Sequence, residues 1–277
     1  MDPIRRAVVA GTWYPGSPAA IAAEVDRYLA GVASPAVPGR LVALISPHAG
    51  LRYSGPVAAY GYGLLRGRSA MTVVLVGPSH HAAFDGVALW ARGAFETPLG
   101  RVPIAEDLAS ELLATNTGLA DDPRAHRHEH SLEMQLPFLQ HLVPGLRMVP
   151  MLMGSQSRGE VDALAATLAR VLAGREVLLV ASSDLSHYQA APMANRLDAE
   201  VVECVRGFDP EGLMARLERR HDHACGGGPM VAVMKAARSL GADRATVLRY
   251  ADSGDVGERD KSRVVGYLSA ALSAPAA

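Results

Sequence analysis

Leu41-Val42-Ala43-Leu44-Ile45-Ser46-Pro47-His48 is an apolar run of strand length that closes on a proline and a histidine. The chain does something similar twice more, in Thr72-Val73-Val74-Leu75-Val76-Gly77-Pro78-Ser79-His80 and in Glu176-Val177-Leu178-Leu179-Val180-Ala181-Ser182-Ser183-Asp184-Leu185-Ser186-His187. Unbroken Val, Leu and Ile mark strands buried on both faces, as in a parallel sheet covered by helices. In such open sheets ligands bind beyond the carboxyl ends of the strands. His48, His80 and His187, far apart in sequence, are therefore expected at one edge of one sheet. Pro47 and Pro78 stiffen the turns, and Gly50, Gly55 and Gly77 permit close backbone approach.

Outward from these runs, further strands are predicted over 86–90, 147–151, 246–251 and 263–269. Helices are predicted over 18–30, 55–65, 106–115, 131–142, 158–172, 193–206, 209–219 and 229–240. The alternation implies an α/β fold, three layers α/β/α around a largely parallel or mixed central sheet. Residues 1–277 read as a single domain, with 31–39, which holds Pro35 and Pro38, as a short helix-to-strand loop. In the helix over 131–142, Leu132, Leu136, Leu139 and Val143 form one buried face. Ser131 is expected to cap it, Glu133 to sit in its first turn and Pro137 to kink it.

The 27 Lys and Arg balance 28 Asp and Glu, which argues against a nucleic-acid partner. No apolar stretch approaches the roughly 20 residues of a membrane-spanning helix, and no export signal is read at the start, so a cytoplasmic protein is expected. Two cysteines, Cys204 and Cys225, are too few for a disulfide scaffold and suit a reducing compartment. Cys204, on a predicted helix, reads as core packing.

Cys225 reads differently. It lies in His221-Asp222-His223-Ala224-Cys225-Gly226-Gly227-Gly228-Pro229, just before a helix N-terminus whose partial positive charge favours thiolate. A thiolate with two neutral imidazoles is an ordinary donor set for iron, zinc or copper. Asp184, three residues before His187, suits the orientation of an acid/base imidazole. His81 is expected to point away from the site. The cluster His126-Arg127-His128-Glu129-His130-Ser131-Leu132-Glu133 is no H-E-x-x-H zinc helix, because position 132 is Leu. His128 and His130 are expected on one face of an extended segment, either hydrogen-bonding to the site or solvated, with Glu129 and Glu133 as reserve carboxylates. Trp13, Tyr14, Arg52 and Tyr53 either line a pocket for an aromatic or anionic substrate or fill the core. Dinucleotide, Walker and serine-elbow motifs are absent from the sequence.

As an ordered set, Ala10-Gly11-Thr12-Trp13-Tyr14-Pro15, Pro47-His48-Ala49-Gly50, Tyr53-Ser54-Gly55, Gly77-Pro78-Ser79-His80, Thr97-Pro98-Leu99-Gly100, Glu129-His130-Ser131-Leu132-Glu133, Ser182-Ser183-Asp184-Leu185-Ser186-His187 and Cys225-Gly226 resemble the Memo family across nearly the whole chain. Its prokaryotic members are the B component of the AmmeMemoRadiSam system. The resemblance implies a fold similar to LigB-type extradiol dioxygenases, which use non-haem Fe(II). It also implies His48, His80 and Cys225 as metal ligands, with His187 as acid/base and Asp184 beside it. Fe(II) is the expected metal, with Cu or Zn as alternatives. The implied partners are an unknown small-molecule substrate and AMMECR-type and radical-SAM proteins. Leu51 stands where the family commonly has Tyr, so a changed pocket wall is expected. Two rival functions suit the same residues: a cysteine hydrolase using Cys225, His187 and Asp184, and a non-catalytic protein binding a peptide or small ligand.

Overall fold

Four parallel strands form the centre of the molecule, in the order Arg40–Ser46, Val177–Ser182, Thr72–Pro78 and Arg147–Met153. The computed structural model describes residues 3–32, 37–257 and 259–276. Residues 33–36 of the expected loop 31–39, Pro35 among them, lie outside the described residues. Three of the four central strands are the runs from which the fold was read, and they are neighbours, with Ser46 opposite Ser182 and Val76 opposite Ala181. Their apolar side chains are buried, apart from Leu41 and Val177 at the strand starts, which are half-buried.

Antiparallel strands make the sheet mixed. Val87–Leu89 runs against Arg147–Met153 and pairs in parallel with Leu119–Asp121. At the other end Val264–Ala274 runs against Arg40–Ser46, and also pairs with Arg244–Asp252 and with the short strand His187–Gln189. Helices Pro18–Ala30, Leu51–Tyr62 and Leu136–Leu142 pack together as one outer layer; Arg158–Leu172, Pro210–Arg219 and Gly227–Ser239 pack together as another. This is the three-layer α/β arrangement expected. Among the described residues no helix is long and apolar enough to cross a membrane.

Two helix expectations change. The segment over 131–142 is a 3₁₀ turn, Glu133–Gln135, followed by the α-helix Leu136–Leu142. Ser131 caps nothing; its hydroxyl donates to the Pro78 carbonyl at 2.9 Å. Pro137 stands in the first turn of the α-helix, where a missing N–H costs nothing, so it starts the helix rather than kinking it. The expected apolar face is nevertheless buried, from Leu132 to Val143. The helix expected from Gly55 begins at Leu51, because the Gly50 carbonyl accepts from the Tyr53 and Ser54 N–H groups. Gly55 and Pro56 read as punctuation in sequence, yet Gly55 is where the helix rests on the Tyr28 ring; a Cβ there would lie 2.5 Å from it.

The strands that periodicity missed are short. Ile4–Arg6, Ala94–Thr97 and Gly100–Pro103 form a separate three-stranded sheet. At three or four residues each, they lie below the length at which alternation is legible.

Candidate metal centre

Because the strands ending at Ser46, Pro78 and Ser182 are adjacent and parallel, they deliver His48, His80 and Asp184 to one edge of the sheet. Cys225 arrives from the other direction, on the loop that leads into Gly227–Ser239. One ligand atom each from His48, His80 and Cys225 lies within 4.8 Å of the others. The His48 Nε2 to Cys225 Sγ distance is 3.2 Å, and the two imidazoles meet nearly edge-on at 5.3 Å between centroids.

Hydrogen bonds fix which nitrogen each imidazole offers. Ser182 Oγ has one proton, which it donates to the Ser131 carbonyl at 2.7 Å. It accepts from Gln135 Nε2 at 2.7 Å, an amide whose orientation is set by its second donation, to the Pro47 carbonyl. The remaining lone pair of Ser182 therefore accepts from His48 Nδ1, 2.9 Å away. His48 is protonated on Nδ1, and its Nε2 lone pair faces the sulfur. At His80 the same result comes from Glu129, whose Oε1 lies 2.9 Å from Nδ1. Imidazole ligands are commonly held this way, by a carboxylate or oxygen acceptor on the nitrogen away from the metal.

The electrostatics agree with neutral imidazole at His48. Burial, then the His80 and His130 rings, hold its pKa well below the usual range. Burial alone would raise the Glu129 pKa. Hydrogen bonds from the His80 ring and backbone and from Ser131 outweigh it, and Glu129 stays ionised. Glu129 is also the node of a second cluster, with His80 and His130. Its Oε1 already accepts from His80 Nδ1 and from the His130 and Ser131 N–H groups, and its Oε2 from the His80 N–H. It is thus a spent acceptor that orients His80, not a free ligand.

Several placements differ from expectation. Asp184 Oδ1 accepts from the His48 N–H at 2.7 Å and the Ala49 N–H at 3.3 Å, and no hydrogen bond joins Asp184 to His187 among the described residues. The carboxylate pins the His48 loop instead of orienting His187. Burial raises the Asp184 pKa. Cys225 does precede a helix N-terminus, but burial and then the Asp184 charge push its thiol up rather than down. Its neighbour is His48, so the Cys225–His187–Asp184 hydrolase arrangement lacks its hydrogen bonds. His128 is exposed while His130 turns inward, because the His130 and Ser131 N–H groups both converge on Glu129 and the chain bends there. The His130 ring stacks on His80 at 4.7 Å and meets Trp13 at 4.4 Å, and burial lowers its pKa to about 4. Glu133 is far from reserve duty; it is fully buried against Arg5 and Tyr14. Leu51 is buried in the main core and is not among the residues that line the cavity above the ligands. Cys204 is buried on its helix, as expected.

Above the ligands opens a cavity of about 1060 Å³, walled by Trp13, Tyr14, Arg52, Tyr53 and Tyr188 and reached by His81, His130 and His187. His81 thus joins the cavity instead of pointing away. His187, half-buried, lies on the strand pairing with Val264–Ala274. Sequence reading gave no role to Ser182 or Gln135, whereas the close approach at Gly226 is of the kind its glycine run suggests. A Cβ on Gly226 would lie 2.4 Å from the Ser182 carbonyl oxygen and 2.8 Å from Ser183 Cβ. Gly226→Ala should therefore destabilise the fold by about 1–3 kcal/mol in urea denaturation; wild-type stability would mean that the Cys225 loop yields freely.

A family model described as "Memo-like protein" matches residues 5–271. The MEMO1 family protein MTH_45 of Methanothermobacter thermautotrophicus is 38% identical, over 95% of this chain and 98% of its own. MK0963 of Methanopyrus kandleri, also a MEMO1 family protein, is 36% identical over 96% and 97%. The crystal structure of the uncharacterized protein JW3007 from Escherichia coli K12 superposes with a TM-score of 0.54 at 16% identity, covering 83% of this chain and 99% of that one, which is a likeness of fold alone.

Proposed function

The chain belongs to the Memo-like family, and from that premise we propose that it is a metalloprotein whose His48, His80 and Cys225 hold one transition-metal ion beneath the cavity. Iron(II) is the metal of choice, with copper and zinc as alternatives. The reaction class is oxygen-dependent or redox chemistry on a small substrate, aromatic in the leading case. One observation carries this reading: His48, His80 and Cys225 bring one ligand atom each within 4.8 Å of one another, both imidazoles being hydrogen-bonded at Nδ1 to oxygen atoms.

The residues fit such an ion. Metal–nitrogen and metal–sulfur lengths of about 2.0 and 2.3 Å at a tetrahedral angle separate the two donors by about 3.5 Å. His48 Nε2 and Cys225 Sγ stand at 3.2 Å, so this pair needs only a small outward shift. Three protein donors leave positions for substrate or solvent, and a bound ion supplies Lewis acidity and, for iron or copper, electron transfer. Glu129 and Ser182 keep the imidazoles in the donor tautomer. Asp184 holds the His48 backbone. Trp13, Tyr53 and Tyr188 offer flat walls for a ring, and His187, half-exposed on the same cavity, is the group placed to take or give a proton.

Elemental analysis of anaerobically purified protein tests the proposal. Wild type should carry stoichiometric metal, and His48→Ala and Cys225→Ser should lose it. Metal-free wild type, or metal kept by both variants, overturns it. A loaded protein that consumes no oxygen with catechols or reductants, yet binds a ligand, would move the function to binding.

A further inference from the structure

We infer that Gln156 is a positioning residue for the Cys225 sulfur, an inference that rests on the metal reading above. The need for one is visible in the sequence: Cys225 is followed by Gly226, Gly227 and Gly228, three residues with the widest backbone freedom of any. Gly227 and Gly228 open the helix Gly227–Ser239, and a ligand beside that glycine run is held by contacts from outside it.

Gln156 spans that run. It sits in the loop between the strand Arg147–Met153 and the helix Arg158–Leu172. Its Nε2 donates to the Cys225 carbonyl at 2.8 Å, and its Oε1 accepts from the Gly228 N–H at 2.7 Å. A carbonyl only accepts and an N–H only donates, so the amide has one orientation and both its ends are committed. The helix leaves the Cys225 carbonyl free, since its first backbone bond there runs from the Met230 N–H to the Gly226 carbonyl. On the far side of the run the Cys225 N–H reaches the Asp184 carbonyl at 3.3 Å, and the Gly226 N–H reaches Ser183 Oγ at 2.9 Å. The sulfur-bearing residue is thus held from the His48 side of the sheet by 183 and 184, and from the His80 side by Gln156, which follows the strand paired with Thr72–Pro78. Gly228 has no space for a side chain because a Cβ would lie 2.8 Å from Gln156 Cβ, so glycine run and clamp are fitted to each other.

Gln156, Cys225 and Gly228 also border a second cavity of about 560 Å³, with Met214 and Leu217. That space lets position 156 be changed without collision. Gln156→Leu removes both hydrogen bonds at similar size. Gln156→Glu keeps an acceptor for Gly228 but sets a carboxylate against the Cys225 carbonyl.

Cobalt(II) is the probe, added anaerobically to the apoprotein, because its absorption reports sulfur coordination directly. Both variants should bind cobalt about 10–100-fold more weakly than wild type, the usual effect of losing a group that holds a ligand. At saturation their sulfur-to-cobalt charge-transfer band should be weakened or shifted, while urea midpoints show both folded. Wild type that binds no cobalt overturns the metal reading and this inference with it. Variants with wild-type affinity and band leave the metal reading standing and overturn the inference alone. Weakened affinity with an unaltered band at saturation also overturns it, because the effect would then not pass through the sulfur.

Discussion

Arg5→Met should destabilise the protein by about 3–5 kcal/mol, the usual result of stranding one partner of a buried ion pair. For a chain of this size class that is a fall in Tm of roughly 6–20 °C. Arg5 and Glu133 are paired with side chains 2% and 0% exposed. The guanidinium is committed three ways, to the Glu133 carboxylate, the Glu129 carbonyl and the His126 carbonyl. A lysine has no fork to reproduce this, so Arg5→Lys should recover little. Glu133 in turn accepts from the Val8 and Val9 N–H groups and from the Tyr14 hydroxyl. Burial and the Glu133 charge push the Tyr14 pKa far up, which keeps the phenol a donor. With Arg5 gone, the carboxylate retains only neutral partners in a fully buried place. Replacing both residues, as in Arg5→Met with Glu133→Leu, should restore part of the loss, since the stranded charge is then absent. Thermal and urea denaturation of the three variants check this, and Arg5→Met at wild-type stability would contradict it. The effect reaches the cavity, because this pair fastens the segment that carries Trp13, whose carbonyl accepts from the Leu51 N–H at the start of the helix after His48.

None of that pairing could be read from sequence. Arg5 and Glu133 are 128 positions apart, and an arginine in an edge strand and a glutamate before a helix each look solvated on their own. What was legible followed from local pattern. Continuous apolar runs gave the three central strands, and the rule that ligands gather beyond their carboxyl ends placed His48 and His80 together. Cys225 was legible because of its neighbours, a run of glycines before a helix. The groups that hold the ligands were not: Ser182 is the last residue of an apolar strand, and Gln135 and Gln156 are polar residues of a common kind. Each acquires its role only through contacts across 47 to 134 positions. The Asp184 contacts to the His48 loop were illegible for a related reason. Spacing of three suggested a partnership with His187, whereas the parallel neighbour of its strand, 136 positions away, supplied the stronger donors.

Ser182→Ala and Glu129→Gln should each weaken metal binding about 10–100-fold, the range typical of outer groups that hold ligand imidazoles. Ser182→Ala removes the acceptor that keeps the His48 proton on Nδ1, and also takes a donor from the Ser131 carbonyl. Glu129→Gln keeps one acceptor oxygen but turns an NH₂ toward N–H groups of His80, His130 or Ser131 that have no other partner there. In each variant the affected imidazole is free to take the other tautomer or to rotate, and metal binding must first bring it back. The double variant is the more informative measurement. Residues with no shared partner give additive effects, while residues in one network do not. Ser131 joins these two, its N–H on Glu129 and its carbonyl on Ser182, so the loop freed by the first substitution has less order left for the second to remove. Cobalt titration of the double variant should show a loss smaller than the product of the two single losses. Full additivity would mean that the two imidazoles are held independently and that the Ser131 link carries no coupling.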